Sequence, residues 1–317
     1  MYYVGIDLGG TNIAAGLVNK AGEIIYKDST PTNAQRPYTE IIKDMADLTL
    51  KVIKEAGVNI DEVEKIGIGS PGTPDCKEGI LIFSGNLNFR NVPIKAEMQK
   101  YIDLPVYLDN DANCAALAEE VAGSAKGTKH SVTITLGTGI GGGIIIDGKI
   151  YSGFNFAGAE IGHMVMVCDG IQCTCGRKGC WESYASATAL IRQTTKAAQE
   201  NPDSIINKLI EGDFSKINAK TAFDAAKQGD ETGNRVVQQY IKYIAEGLIN
   251  VINIFMPEVV VIGGGVCKEG DYLLKPLKEL VYAGVFSREE IPQTQIKTAL
   301  LGNDAGIIGA AMLGENL

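Results

Sequence analysis

Apolar residues near the start of this chain form short runs that glycine-rich turns separate. Residues 2–11 are an apolar run that ends in Gly9-Gly10-Thr11, residues 12–18 are a second run, and residues 23–26 are a third. Short runs of this kind, bounded by turn residues, are typical of strands. The opening segment therefore predicts three strands joined by a Gly-Gly-Thr turn and by a second turn that contains glycine.

The same plan returns in the middle of the chain. Residues 131–136 predict a strand, and residues 143–150 predict a hairpin because three isoleucines precede an Asp-Gly pair. Gly137, Gly139 and Gly142 also have the G-x-G-x-x-G spacing of dinucleotide-binding proteins, but that motif requires a helix after the turn. Two hairpins of one design predict a duplicated fold with a phosphate-binding loop in each half; the alternative is two ordinary hairpins with flexible turns.

Longer segments after each hairpin alternate between helical and strand patterns. Helices are predicted over residues 38–56, 112–122, 185–200, 231–255 and 304–313, and buried strands over residues 65–69, 104–108 and 258–262. The last strand runs into Gly263-Gly264-Gly265, which either lets a flat or charged ligand approach the backbone or is only a tight turn. We therefore expect an α/β protein of two duplicated lobes.

Composition limits the function classes. The 317 residues are 45% hydrophobic and 21% charged, as in ordinary globular proteins. The net charge of −9 argues against nucleic acid as a partner, since neutralising phosphates needs clustered Lys and Arg. No apolar run approaches the ~20 residues of a membrane span, and no signal peptide precedes the strand that starts at Tyr2. We therefore expect a cytoplasmic protein without a membrane partner.

The seven cysteines are clustered, which favours metal binding or free thiols over a disulfide framework. One histidine and three cysteines, the donor set of tetrahedral zinc, lie within 18 residues: His163, Cys173, Cys175 and Cys180. These side chains would fill all four positions, so the predicted zinc is structural. The alternative is a group of reduced, buried thiols.

Carboxylates and amides follow predicted strands or flank the metal motif. Asn110 and Asp111 stand where a strand ends and a helix begins, which is the edge where α/β proteins bind ligands. The alternative role of Asp111 is that of a helix N-cap. Glu160 and Glu182 flank the metal motif, so zinc would hold the loop that carries both. Such groups bind adjacent hydroxyls, which indicates a polyol substrate that the metal helps to position.

Together these motifs resemble the ROK family (repressors, open reading frames and sugar kinases), and within it the bacterial glucokinase branch. The matching motifs are Asp7-Leu-Gly-Gly-Thr11, Ser70-Pro-Gly72, Asn110-Asp111-Ala-Asn113, Leu136-Gly-Thr-Gly139-Ile-Gly-Gly-Gly143, Ala157-Gly-Ala-Glu160-Ile-Gly-His163, the segment 173–182 and Gly263-Gly-Gly265. The resemblance implies an actin-like (ribonuclease H-like) two-lobe fold with an interlobe cleft. It also implies ATP-dependent phosphorylation of a hexose at O6, with Mg²⁺, a structural zinc and a homodimer or higher homo-oligomer. Glucose is the expected hexose.

The lobes implied are residues 1–120, with a helix over residues 301–317 that packs back on them, and residues 121–300, with the zinc loop and the adenosine-binding turn. Carried over by position, Asp111 is the base that accepts the proton of the 6-hydroxyl as that oxygen attacks the γ-phosphorus. The implied sugar contacts are Gly72, Asn86, Asn110, Asp111, Glu160, His163 and Glu182. The implied nucleotide contacts are Asp7, Gly9, Gly10, Thr11, Asn12, Thr138, Gly139, Gly264 and Gly265. Among these, Asp7 would orient Mg²⁺ through water, and Gly264 and Gly265 would border the adenosine.

The same residues are compatible with several alternatives. The hexose could be fructose, mannose, allose or N-acetylmannosamine, which differ from glucose by one hydroxyl or one substituent. Polyphosphate could replace ATP, although no long basic channel is evident. A sugar-sensing regulator of the same family would need a helix-turn-helix ahead of the first strand, and the start at Tyr2 leaves no room for one. An actin-like or chaperone-type ATPase would leave the zinc loop and the Asn-Asp pair unexplained.

Overall fold

Two five-stranded sheets organise the chain in the computed structural model, which describes residues 1–288 and 291–314. The strands are β1 (Tyr2–Leu8), β2 (Asn12–Asn19), β3 (Ile24–Pro31), β4 (Val63–Ser70), β5 (Thr73–Asp75), β6 (Ile80–Ser84), β7 (Phe89–Val92), β8 (Val106–Asn110), β9 (Ser131–Leu136), β10 (Ile140–Ile146), β11 (Lys149–Ile150), β12 (Val259–Gly263) and β13 (Gln295–Thr298). The helices are α1 (Tyr38–Glu55), α2 (Ile94–Met98), α3 (Asp111–Val121), α4 (Glu182–Ala185), α5 (Ala187–Glu200), α6 (Ile205–Leu209), α7 (Thr221–Lys227), α8 (Glu231–Phe255), α9 (Asp271–Gly284) and α10 (Ala305–Met312).

The two large sheets have the same topology. The strand order is β3-β2-β1-β4-β8 in the first and β11-β10-β9-β12-β13 in the second. In each sheet the first three strands pair antiparallel and the next two add in parallel. Both predicted glycine hairpins are therefore confirmed, and the turn at 137–139 leads into a strand rather than a Rossmann helix. The shared strand order of the two sheets is that of a duplicated α/β fold.

Helices α3 and α10 lie between the sheets and contact each other. α10 packs on β1 and β4, whereas α3 packs on β9 and β10. Glycines permit this close approach: a Cβ on Gly67 would lie 1.7 Å from the carbonyl oxygen of Ala310, and one on Gly309 would lie 1.7 Å from that of Cys114. Because α3 follows β8 and α10 follows β13, these helices carry the chain between its halves.

Each large sheet has its own hydrophobic core. In the second half, Trp181 is 1% exposed and lies against α8, where a Cβ on Gly247 would be 1.9 Å from the indole ring. The indole Nε1 donates to the carbonyl oxygen of Tyr243 at 2.8 Å. Since Trp181 directly follows Cys180, this contact anchors the end of the metal motif to the core.

Most predicted elements agree with the structure to within two or three residues. The helix predicted over residues 231–255 coincides with α8, whereas the one predicted from residue 185 begins at Ala187 after the short α4. The pattern missed the small antiparallel sheet β5-β6-β7, the helices α2, α6, α7 and α9, and the strand β13. The last predicted helix spans Ala305–Met312, and residues 315–317 of the proposed C-terminal segment lie outside the described residues. Within the described part of the chain, no helix has the length and apolar character of a bilayer-spanning segment.

Candidate active-site cleft

A cleft of about 660 Å³ lies between the two halves, and residues from both line it. It collects ten of the residues that the sequence singled out: Asp7, Gly72, Asn86, Asn110, Asp111, Thr138, Gly139, Glu160, His163 and Glu182. None of its described lining residues is Lys or Arg.

Asn110 ends β8 and caps α3. Its Oδ1 accepts a hydrogen bond from the Ala112 amide at 2.8 Å, and its Nδ2 donates to the carbonyl oxygen of Gly72 at 3.0 Å. Asp111 is the first residue of the helix. The alternative in which Asp111 is the N-cap of α3 is therefore wrong, although Oδ1 of Asp111 also accepts from the Ala112 amide at 2.9 Å, and the Asp111 carboxylate lies on the cleft wall. Asn110 keeps one amide hydrogen and one lone pair for a ligand.

Asp7 and Asp111 are two carboxylates on the same wall. Asp111 is exposed to the open cleft, but the protein that surrounds it on other sides removes water and raises its pKa. Burial, together with the charge of Asp111, raises the pKa of Asp7 to about 6. The carboxylate of Asp7 also lies against the start of α10, where a Cβ on Gly306 would be 2.5 Å from Oδ2. This wall therefore concentrates negative charge where a cation or a proton would be favoured.

Glu182 connects the metal motif to the turn between β9 and β10. Its Oε2 accepts a hydrogen bond from the Ile140 amide at 2.9 Å, and a Cβ on Gly139 would lie only 2.0 Å from that oxygen. The thiol of Cys173 donates to Oε1 at 3.7 Å. Glu182 therefore holds the turn as well as facing the cleft, a role that its position in the sequence did not indicate.

The predicted metal ligands come together. The donor atoms of His163, Cys173, Cys175 and Cys180 all lie within 4.8 Å of one another. Cys173 Sγ is 3.6 Å from His163 Nδ1, and Cys175 Sγ is 3.6 Å from Cys180 Sγ. Tetrahedral zinc, with a Zn–N bond of about 2.0 Å and Zn–S bonds of about 2.3 Å, separates its ligand atoms by ~3.5–3.8 Å. These four side chains could hold a metal ion, and their spacing fits zinc. Buried thiols would not explain Cys175, which is exposed.

His163 faces the metal cluster and the cleft at once. Its Nδ1 lies toward Cys173, while its Nε2 is 4.0 Å from Oε2 of Glu160, whose side chain is 63% exposed. The preceding loop turns sharply, because Phe156 and Ala159 have φ angles of 62° and 65°. Bound metal would leave one imidazole nitrogen free to bind a hydroxyl.

The first glycine turn and the third glycine motif do not line this cleft. Gly9 accepts through its carbonyl oxygen from the Thr32 hydroxyl at 2.6 Å, and its amide donates to the carbonyl oxygen of Asn12 at 2.9 Å. Gly10 lies beside the cleft residue Asn86: a Cβ on Gly10 would be 3.2 Å from the carbonyl oxygen of Asn86. Gly264, with φ of 105°, covers the end of β9, where a Cβ would be 2.2 Å from the carbonyl oxygen of Leu136. The nucleotide roles of residues 9–12, 264 and 265 stay predictions.

Further residues of the site were not predicted. Asp109 is 1% exposed and its Oδ1 accepts from the Asn110 amide at 2.6 Å and from Asn113 Nδ2 at 2.8 Å, so it holds the segment that carries Asp111. Asn113 belongs to the Asn110-Asp111-Ala-Asn113 motif, so its place in that motif could have indicated a role in the site. Thr135 lies on β9 two residues before the glycine turn, and its closeness to that turn could have indicated that it lines the cleft. Other cleft residues stand in irregular or unpredicted segments: Phe83, Phe156, Gly302 and Asn303.

Comparisons with known proteins agree with this architecture. The model of the ROK family matches residues 3–316. The glucokinase of Thermotoga maritima is 37% identical over 311 residues, which cover 98% of this chain and 96% of the relative. The crystal structure of a ROK family glucokinase from Streptomyces griseus, in complex with glucose and AMPPNP, has a TM-score of 0.82 at 34% identity and 99% coverage of both chains. The xylose repressor of Bacillus subtilis is 30% identical over 289 residues, which cover 90% of this chain and 70% of the repressor.

Proposed function

The chain belongs to the ROK family, and from that premise we propose that it transfers the γ-phosphoryl group of ATP to the 6-hydroxyl of glucose. The proposal includes a small lobe of residues 1–120 with the C-terminal helix, a large lobe of residues 121–300, and a cytoplasmic homodimer or higher homo-oligomer. The full-length similarity to glucokinases supports the reaction and the substrate.

The observation that carries the proposal is the position of Asp111. Asn110 is the N-cap of α3, and the Asp111 carboxylate, whose Oδ1 also accepts from the Ala112 amide at 2.9 Å, lies on the cleft wall. The groups proposed to bind the sugar, Glu160, His163 and Glu182, line the same cleft from the second half of the chain. A sugar held between them would present a hydroxyl to Asp111.

Asp111 is proposed to act as general base. It accepts the proton of the 6-hydroxyl while that oxygen attacks the γ-phosphorus, and the bond to the β-phosphate oxygen breaks. Its raised pKa brings the carboxylate closer to the operating pH, which makes it a better proton acceptor than an ordinary aspartate. General-base help of this kind contributes roughly 10²–10⁴-fold.

The sugar is proposed to bind between the walls. Asn86, Asn110 and the backbone at Gly72 would contact it from the first half, and Glu160, His163 and Glu182 from the second. Zinc on His163, Cys173, Cys175 and Cys180 would fix the loop that carries the second set. The ion would be structural, since all four positions of a tetrahedron are filled by protein.

The nucleotide phosphates are proposed to lie along the glycine turns. Thr138 and Gly139 line the cleft and would donate to phosphate oxygens, with Gly9, Gly10, Thr11 and Asn12 beside them and Gly264 and Gly265 bordering the adenosine. Without Lys or Arg among the described lining residues, a triphosphate here needs another source of positive charge. Asp7 fits a role in orienting hydrated Mg²⁺ because its carboxylate lies in the cleft. Bound Mg²⁺ would neutralise charge that develops on the phosphates. The same acidic lining disfavours polyphosphate more than ATP, because polyphosphate has no adenosine group whose binding could offset the repulsion between negative charges.

A panel assay tests this proposal. ADP release should be measured with Mg-ATP and, in turn, glucose, mannose, fructose, allose and N-acetylmannosamine, with polyphosphate as an alternative donor. We expect the highest kcat/KM for glucose with ATP. A higher kcat/KM for another hexose would show that glucose is not the preferred substrate. ADP release at a rate that does not depend on any sugar would exclude a sugar kinase.

A further inference from the structure

Glu119 is a buried side chain of α3 whose carboxylate contacts both segments that connect the halves of the molecule. The residue is 1% exposed. Its Oε2 accepts a hydrogen bond from the Ser124 amide at 2.7 Å. Its Oε1 accepts from the amides of Leu300 and Leu301, each at 3.0 Å. The Leu300 amide also lies 3.2 Å from Oε2, so both oxygens of one carboxylate are engaged and the carboxylate as a whole bonds to two different parts of the chain.

These two parts are the interlobe connections. Residues 122–130 lead from α3 to β9, and residues 299–304 lead from β13 to α10. The Ser124 hydroxyl donates to the carbonyl oxygen of Thr298 at 2.6 Å, which adds a direct bond between the connections. We call Glu119, Ser124, Thr298, Leu300 and Leu301 the crossing node.

The node is built around the carboxylate. A Cβ on Gly123 would lie 2.1 Å from Glu119 Oε2, so a larger residue at position 123 would displace it. Only a carboxylate presents acceptors on both sides, whereas an amide would turn an NH₂ group toward one set of backbone donors. A neutral isostere of Glu119 would therefore place its NH₂ group against at least one backbone amide and weaken the link between the two connections.

The node also links the two helices whose first turns border the cleft, because Glu119 lies on α3 and Leu300 and Leu301 lie on the segment that leads into α10. α3 begins with Asp111, and α10 follows Gly302 and Asn303, which line the cleft. The crossing node therefore fixes the far end of α3 relative to the chain that enters α10. Any rotation of one half relative to the other must pass through these connections.

We propose that Glu119 is a positioning residue that fixes the pivot about which the two halves close on the sugar. The inference rests on the proposed function, because closure matters if Asp111 on one wall must meet a hydroxyl held by the other. Productive transfer requires close alignment, and a misplacement of about 1 Å far from the chemistry costs up to ~10²-fold in rate. Glu119 itself is not among the residues that line the cleft.

The test compares Glu119→Gln with Glu120→Gln, a matched change at the neighbouring, half-buried position. Sugar affinity is measured by calorimetry, kcat and KM by ADP release, and closure by the decrease in radius of gyration that glucose causes in solution scattering. All measurements are made well below the Tm of each variant. We expect Glu119→Gln to lower kcat by ~10–10²-fold and to reduce the compaction, with glucose affinity changed less than kcat. Glu120→Gln should match the wild type.

A purely structural role would lower the Tm of Glu119→Gln but leave kcat and compaction of the folded variant unchanged, and that result would overturn the proposal. If Glu119→Gln does not fold, Ser124→Ala removes only the bond to Thr298. It should then reduce kcat and compaction in the same direction by less, and wild-type values would overturn the proposal. Wild-type protein that compacts with glucose but releases no ADP would contradict the kinase function alone, since the compaction of the variants still tests the pivot.

Discussion

The two walls of the cleft hold their functional groups by different means. On the first wall, Asp7 and Asp111 stand at the end of β1 and the start of α3, so regular structure fixes them. On the second wall, Glu160 and His163 stand in an irregular segment that lies beside Glu182, the buried Trp181 and the four side chains that could hold a metal ion. The difference agrees with the proposed division, in which the first wall carries the chemistry and the second carries recognition, and in which a bound metal would do on the second wall what strands and helices do on the first.

The largest expected effect comes from the first wall. Asp111→Ala removes the proposed base, so kcat should fall by at least ~10²–10⁴-fold while glucose binding remains measurable. Steady-state kinetics and calorimetry separate the two quantities. Near-normal turnover of the variant would remove Asp111 from its role.

The second wall should respond differently. Cys175→Ser removes one metal ligand and should lower the zinc content, loosen the loop of His163 and Glu182, and reduce kcat/KM for glucose by ~10–10²-fold, mainly through KM. Metal analysis and kinetics measure both. Cys168→Ser, at an exposed cysteine outside the cluster, is the control and should change neither. A metal-free Cys175→Ser protein with full activity would contradict the structural role of the ion.

The raised pKa of Asp7 predicts that the first wall sacrifices stability for function. Its pKa rises from 3.8 in the unfolded chain to about 6 in the folded protein, so ionisation of Asp7 destabilises the fold. Without Mg²⁺, Asp7→Asn should increase the free energy of unfolding by about 1–3 kcal/mol above pH 6, allowing for screening by water in the cleft. The gain should shrink as the pH falls through 6 toward 4.

Denaturant unfolding at several pH values measures this effect. Asp147→Asn, at a side chain that is 79% exposed, serves as the control and should show no such gain. A gain for Asp7→Asn that does not depend on pH would mean that burial of charge is not its cause. Turnover of Asp7→Asn should fall at the same time, since Asp7 is proposed to orient Mg²⁺.

The smallest effects should come from the two glycine hairpins. Thr138, in the second hairpin turn, lines the cleft. In the first hairpin turn, Gly9 accepts a hydrogen bond from Thr32 and Gly10 lies beside Asn86. Thr138→Val removes one hydrogen bond to phosphate and should raise the KM for ATP by ~2–10-fold without changing the KM for glucose. Thr11→Val should raise the KM for ATP by less than Thr138→Val does. Equal effects of both variants would make the duplicated turns equivalent in function as well as in topology.

The candidate metal site of the second wall and the Asn-Asp pair of the first wall could be predicted from the sequence. Both are short motifs, and their residue types at that spacing are typical of few structures other than a binding site. It also predicted both hairpins, since turn chemistry and strand pattern are local. The sequence could not reveal the bonds of Glu182 to Ile140 or of Glu119 to Leu300, because partners so distant along the chain meet only after the sheets form. Short strands such as Thr73–Asp75 were missed for a related reason: three residues are too few to show a period.

The central claim is that the two walls together transfer phosphate to the 6-hydroxyl of glucose. Its most direct test incubates the protein with Mg-ATP and glucose, follows ADP, and identifies the product by phosphorus NMR. The account predicts glucose-dependent ADP release with one glucose 6-phosphate formed for each ADP. ADP release that does not depend on glucose, or a phosphate on another hydroxyl, would contradict it.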